Sequence, residues 1–234
     1  MEEILGILYP RRCPVCDGIA APRGELICTG CRERLSYIAE PTCKRCGKEI
    51  LRKEQEYCGD CARVRHSYTA GKALFAYDEV MKKSVGAFKY KGRQEYSEWY
   101  GREMARVYGD QIRRWGAEAL IPVPIHKSRY RERGYNQAAL LVRSLAKYTG
   151  LPADEKALVR IKKTTAQKTL STKERAKNLQ DAFQLSKSVV QYKRIILVDD
   201  IYTTGSTADA CAGVLREGGV EQVYLLCLCI GSGF

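Results

Sequence analysis

Apolar residues follow two regimes along this chain. Through the first 66 residues few of them lie between the cysteine pairs, and no sustained strand or helix alternation develops there. From Lys72 the pattern becomes regular. Lys72 to Tyr77 (KALFAY) reads as a strand, helical stretches follow near Glu79 to Phe88 and Tyr96 to Arg114, and Ala119 to Pro124 (ALIPVP) is a short strand ended by its prolines. Further on, the spacing predicts a helix from about Tyr135 to Tyr148 and strands over Ala157 to Ile161 and Ile195 to Val198. It then predicts a helix from Ala208 to Leu215 closed by Gly218-Gly219, and a last buried strand over Val220 to Ile230. Short apolar, β-branched runs alternating with helices are what a parallel sheet covered on both faces carries. The expected fold class is therefore α/β over residues 67–234, joined through Arg63 to Thr69 to a different small domain over residues 1–66.

Cysteines define that first domain. Eight of the eleven fall into four pairs, Cys13/Cys16, Cys28/Cys31, Cys43/Cys46 and Cys58/Cys61, each spaced C-x2-C with eleven residues between pairs. This is the spacing of four-thiolate zinc ribbons. The simplest assignment puts Cys13, Cys16, Cys28 and Cys31 on one structural Zn²⁺ and Cys43, Cys46, Cys58 and Cys61 on a second, although an interleaved cross-brace uses the same sulfurs. Disulfides suit a reducing compartment poorly, four redox pairs lack thioredoxin-like surroundings, and the even spacing is not that of an iron–sulfur protein. With so few apolar residues between knuckles, the segment is expected to draw its stability from metal. Cys211, Cys227 and Cys229 lie in helix and strand patterns and read as small apolar packers.

Charge changes the picture of the remainder. The formal net charge of +13 points to an anionic partner. From His126 to Lys177 there are 14 basic residues against 4 acidic ones, whereas residues 1–66 are nearly balanced, so the charge is concentrated. Tyr130, Tyr135 and Tyr148 are interleaved with it, and arginine with aromatics is a composition that holds single-stranded nucleic acid through phosphates and stacking. The spacing of the tyrosines requires some of them to enter the core. No run approaches a membrane span, and Met1 to Tyr9 is too short and acidic for a signal peptide, so a cytoplasmic protein without membrane insertion is expected.

The densest chemistry follows the Ile195–Val198 run. Asp199-Asp200 sit at its end, and after Ile201-Tyr202 come Thr203, Thr204, Gly205, Ser206 and Thr207 at the entry of a helix. Consecutive backbone N–H groups, hydroxyls and a helix N-terminus suit a phosphate dianion. Two carboxylates beside an anion site need a different ligand, and vicinal sugar hydroxyls fit; together they describe a ribose 5-phosphate cradle. Lys89-Tyr90-Lys91-Gly92-Arg93 reads as a solvated turn, and His126 as a turn residue ahead of Lys127, Arg129 and Arg133.

The run from Ile195 to Thr207 resembles, without a gap, the phosphoribosyl pyrophosphate (PRPP) motif of the type I phosphoribosyltransferases. Over nearly the whole chain the sequence is similar to the ComF/GntX-like proteins, through PVPIHKSRYRERGYNQA, through Gln167, Leu170, Ser171, Arg175, Asn178 and Ala182-Phe183, and through the lysine and glycine around position 90. The resemblance implies a type I phosphoribosyltransferase-like parallel sheet flanked by helices behind a double zinc ribbon. It implies PRPP with Mg²⁺ as ligand, Asp199 and Asp200 on the ribose, and Thr203 to Thr207 on the 5′-phosphate. Lys127, Arg129 and Arg133 become candidates for the pyrophosphate, Lys162 to Thr172 for a closing lid, and the lysine and glycine around position 90 leave open a contact to the pyrophosphate or to an acceptor. It further implies a competence protein that engages single-stranded DNA, with a DNA-uptake helicase as partner. The alternative is an active transferase moving phosphoribose to a nitrogen acceptor. The glutamine-dependent amidophosphoribosyltransferases are the disfavoured subclass, since zinc ribbons are expected where they carry a glutaminase domain, and any hood over an acceptor is expected to come from the zinc domain.

Overall fold

A computed structural model of the chain describes residues 10–163, 177–186 and 192–231. The lid residues from 164 to 176, with Gln167, Leu170, Ser171 and Arg175 among them, lie outside these. In chain order the elements are α1 (Thr29–Arg32), α2 (Gly59–Arg63), β1 (Ala70–Ala76), α3 (Glu79–Tyr90), α4 (Tyr96–Trp115), β2 (Ala119–Pro122), α5 (Lys127–Arg133), α6 (Gln137–Thr149), β3 (Leu158–Arg160), β4 (Phe183–Leu185), β5 (Arg194–Tyr202), α7 (Ser206–Glu217) and β6 (Gln222–Ile230).

The expected parallel sheet with flanking helices is the one found. Four strands lie in the order β1-β6-β5-β2, each pair parallel. Ala153 adds a parallel bridge to Leu120 outside β2. From β2 the chain thus steps outward, whereas from β5 it steps inward to β6. The carboxyl ends of β2 and β5 therefore flank a topological switch point, where open α/β sheets open a crevice for ligands. β3 and β4 form a separate antiparallel pair.

β5 runs further than its apolar core. Its pairing with β6 continues through Asp199 opposite Cys227 to Tyr202 opposite Ile230, so the two acids stand within the strand and not beyond its end. The apolar run alone could not reveal this, because the extension is fixed by the nine-residue β6 beside it. A second difference is α5, where a turn was expected; His126 caps it, its Nδ1 accepting from the Ser128 N–H at 3.2 Å. α6 begins two residues late because Asn136 is its cap, accepting from Ala138 N at 3.1 Å.

The two cysteine ribbons do not stand apart from the sheet. The first shares its buried Cys13, Ala20, Ile27 and Leu35 with Phe75, Trp99 and Tyr100 on one face, where Phe75 and Trp99 stack at 5.8 Å. The second shares Cys43, Cys46 and Ile50 with Tyr68, Ala73 and Tyr202 on the other. Each large apolar side chain so buried is worth about 1.5–3 kcal/mol. The segment between the ribbons lies along β1, with Ile38 N donating to Leu74 O and Ala76 N to Ser36 O at 3.0 and 2.9 Å. Gly47 touches that strand so closely that a Cβ would meet Lys72 Cα at 2.7 Å. The ribbons therefore take part of their stability from docking, in addition to any from metal.

Candidate functional site

The site sits at the switch point. β5 carries Asp199 and Asp200 to its rim, and the β2–β5 register brings the turn after Pro122 alongside, with Val123 N bonded to Val198 O at 2.9 Å. Asn136 Nδ2 holds the same turn by donating to Val123 O at 3.0 Å.

The two acids have different surroundings, because successive strand residues face opposite sides of a sheet. Asp200 Oδ2 receives Lys89 Nζ at 2.9 Å, with both side chains mostly buried. Asp199 Oδ1 accepts the Asp200 N–H at 2.9 Å. Burial first, and then the neighbouring Asp200 carboxylate, push Asp199 up to about 8, against the opposing pull of Lys89 and Arg160. Of the lysine segment around position 90, Tyr90, Lys91 and Gly92 are exposed, as expected of a turn, while its two ends make contacts. Lys89 lies in α3 and faces the acids, Tyr90 lies under the Arg133 guanidinium at 4.9 Å, and Arg93 donates to Asp17 of the first ribbon at 2.7 Å. Arg160, at the end of β3, is close enough to Asp199 and Arg129 to feel both charges, and burial lowers its pKa.

After the acids the chain turns sharply. Gly205 has φ +82° and a Cβ there would lie 2.4 Å from Tyr202 Oη, so another residue would be strained and would have to push the Tyr202 ring aside. Thr203, Thr204 and Ser206 are exposed, and Thr204 Oγ1 lies 2.9 Å from Ser206 Oγ. α7 opens directly onto this turn, leaving its first N–H groups without helical partners. Among the residues singled out for the pyrophosphate, Lys127 and Arg129 are exposed in the first turn of α5. Arg133 is half-buried and bonded to Gln137 Oε1 and Tyr90 Oη at 2.9 and 3.0 Å, so it ties α5 to α3 and α6. Arg160 is the site residue that sequence reasoning missed; for the Lys89 segment the resemblance leaves open a ligand contact, but the pairing of Lys89 with Asp200 is visible only in space.

The cysteines gather as the spacing suggested, Cys13, Cys16, Cys28 and Cys31 in one group and Cys43, Cys46, Cys58 and Cys61 in another, with no interleaving. Their sulfurs approach 3.9 Å for Cys16 and Cys28 and 3.7 Å for Cys46 and Cys58. A tetrahedron with Zn–S bonds of about 2.3 Å has an edge of about 3.8 Å, so the donor set fits zinc. Burial pushes the Cys31 thiol up to about 12 when no cation is near. A dication would reverse that preference and hold all four sulfurs as thiolates.

Comparison with known proteins agrees with this layout. A model of the double zinc ribbon domain matches residues 4–62. Competence protein F of Haemophilus influenzae is 34% identical over 223 residues, spanning 92% of this chain and 94% of that one. The chain belongs to the competence protein F (ComF-like) family. DNA utilization protein YhgH of Escherichia coli (strain K12) is 28% identical over 95% of this chain and 98% of its own. A hypoxanthine phosphoribosyltransferase from Staphylococcus aureus superposes with a TM-score of 0.36 at 16% identity, covering 57% of this ComF-like chain and 64% of that structure. Among the described residues no helix is long and apolar enough to cross a membrane.

Proposed function

We propose that this ComF-like protein binds PRPP as its Mg²⁺ complex and handles single-stranded DNA in DNA uptake. The observation that carries the reading is the convergence, at one switch point, of paired acids, a glycine-pinned hydroxyl turn at a helix N-terminus, and exposed cations after the neighbouring strand. Asp199 and Asp200 take the ribose hydroxyls, Thr203 to Thr207 the 5′-phosphate, and Lys127 and Arg129 the pyrophosphate. Lys89 orients Asp200 and offsets its charge. Mg²⁺, when bound, neutralises the pyrophosphate. The DNA part rests on the exposed Lys127, Arg129, Tyr130 and Arg131 on one short helix, and on relatives named for competence and DNA utilization. Phosphoribosyl transfer is a second reading, favoured by a cavity of about 390 Å³ that runs from Pro124 and Tyr130 to Arg160 and leaves room for an acceptor beside the pyrophosphate end. Incubation with PRPP and candidate nitrogen nucleophiles, with pyrophosphate release as readout, separates the two: release means transfer, and saturable PRPP binding without release means a binding protein.

A further inference from the structure

The segment expected to be a simple linker runs directly beneath the phosphate turn. His66, with its side chain 2% exposed, places Nδ1 2.7 Å from Asp209 Oδ2, and the Ser67 N–H meets the other oxygen, Oδ1, at 2.8 Å. The same imidazole stacks on Tyr68 at 4.9 Å, and Tyr68 Oη lies 2.8 Å from Tyr202 Oη, the atom against which Gly205 is packed. His66 Cε1 comes within 3.1 Å of where a Gly205 Cβ would stand. His66 Nε2 is buried with no hydrogen-bond partner. A buried unpaired ring nitrogen is costly, so packing alone accounts poorly for histidine here.

Asp209 explains the arrangement. It lies in the first turn of α7, where a carboxylate is attracted to the same helix N-terminus that must receive a phosphate. An uncompensated negative charge there opposes a dianion. Ionised Asp209 accepts hydrogen bonds only, so His66 Nδ1 carries the proton between them. Resting on the reading of the 203–207 turn as a 5′-phosphate site, we infer that His66 is a positioning residue: with the Ser67 N–H it clamps both oxygens of Asp209 and keeps that carboxylate from competing with the phosphate at the α7 N-terminus. Arg45 of the second ribbon, donating to Tyr68 O and Thr69 O at 2.9 and 3.2 Å, fixes the segment from the other side.

The test is calorimetric titration of the full-length zinc-loaded protein with ribose 5-phosphate, which probes the turn without the pyrophosphate end. His66→Ala should weaken binding on the order of tenfold, the size of one lost charge-assisted hydrogen bond. His66→Asn, which keeps a donor at the Nδ1 position, should stay within about threefold of wild type, and so should His66→Ala combined with Asp209→Asn. Undiminished binding by His66→Ala overturns the role, and so does a loss that Asp209→Asn fails to restore, since that marks His66 as mere packing. Should His66→Ala not fold, Asp209→Asn alone decides: binding no weaker than wild type supports the clamp, and a tenfold loss overturns it. Wild-type protein that does not bind ribose 5-phosphate overturns the reading of the turn itself, and the clamp with it.

Discussion

Asp199 and Lys89 act on stability in opposite senses at the candidate site. Burial and Asp200 raise Asp199 from 3.8 in an unfolded chain to about 8 in the fold. The folded state therefore holds more protons between those values, and stability from this group is full below about pH 4 and falls as pH rises to about 8. Asp199→Asn removes the loss. Its melting temperature at pH 8.5 should exceed that of wild type, by about 2–4 °C for each kcal/mol recovered in a chain of this size, while PRPP binding drops. Thermal scans at pH 5 and 8.5 check this, because the gain should shrink at the lower pH. Lys89→Met, conversely, leaves the mostly buried Asp200 without its cation and should cost about 1–3 kcal/mol in urea unfolding.

At the scale of elements, the β5-turn-α7 unit is the one most legible in the chain, because strand, acids, hydroxyls and helix follow in unbroken order and each has its own local preference. Gly205→Ala should lose phosphate binding and also destabilise by about 1–3 kcal/mol, since its φ is +82° and the methyl would meet Tyr202. Thr203→Ala, exposed on the same turn, should weaken binding with unfolding midpoint unchanged; comparing the two separates turn shape from turn chemistry. Less could be read where contacts cross the sequence. The partners of α3 and of the linker, Asp200 and Asp209, lie more than a hundred residues away, so neither pairing is legible in the sequence. The extension of β5 to Tyr202 depends on β6, and α5 on a histidine cap that resembles any turn residue. Of the three interleaved tyrosines, Tyr135 is buried whereas Tyr130 and Tyr148 are exposed, a division that the spacing required without assigning it.

For the whole molecule, the ribbons are legible as metal sites but not as part of the core. Their cysteine spacing is local information; their docking onto opposite faces of the sheet is not. Because each ribbon shares buried residues with one face, stripping zinc should lower a single cooperative unfolding transition in calorimetry and leave no separate ribbon melt. The proposed DNA contact is tested on the basic helix α5, whose Lys127, Arg129 and Arg131 are exposed. Replacing Lys127, Arg129 and Arg131 with alanine should flatten the dependence of log K on log salt for single-stranded DNA by about 2, at about 0.7 per phosphate contact.

The most direct measurement is titration of PRPP into the protein in the presence of Mg²⁺, side by side with Asp200→Asn. Wild type should bind saturably and gain about 2.7 kcal/mol of stability at a hundredfold excess over Kd, and the Asp200→Asn variant should show neither effect. Equal binding by both proteins, or none by wild type while folded and zinc-loaded, would contradict a ribose grip at the carboxyl end of β5.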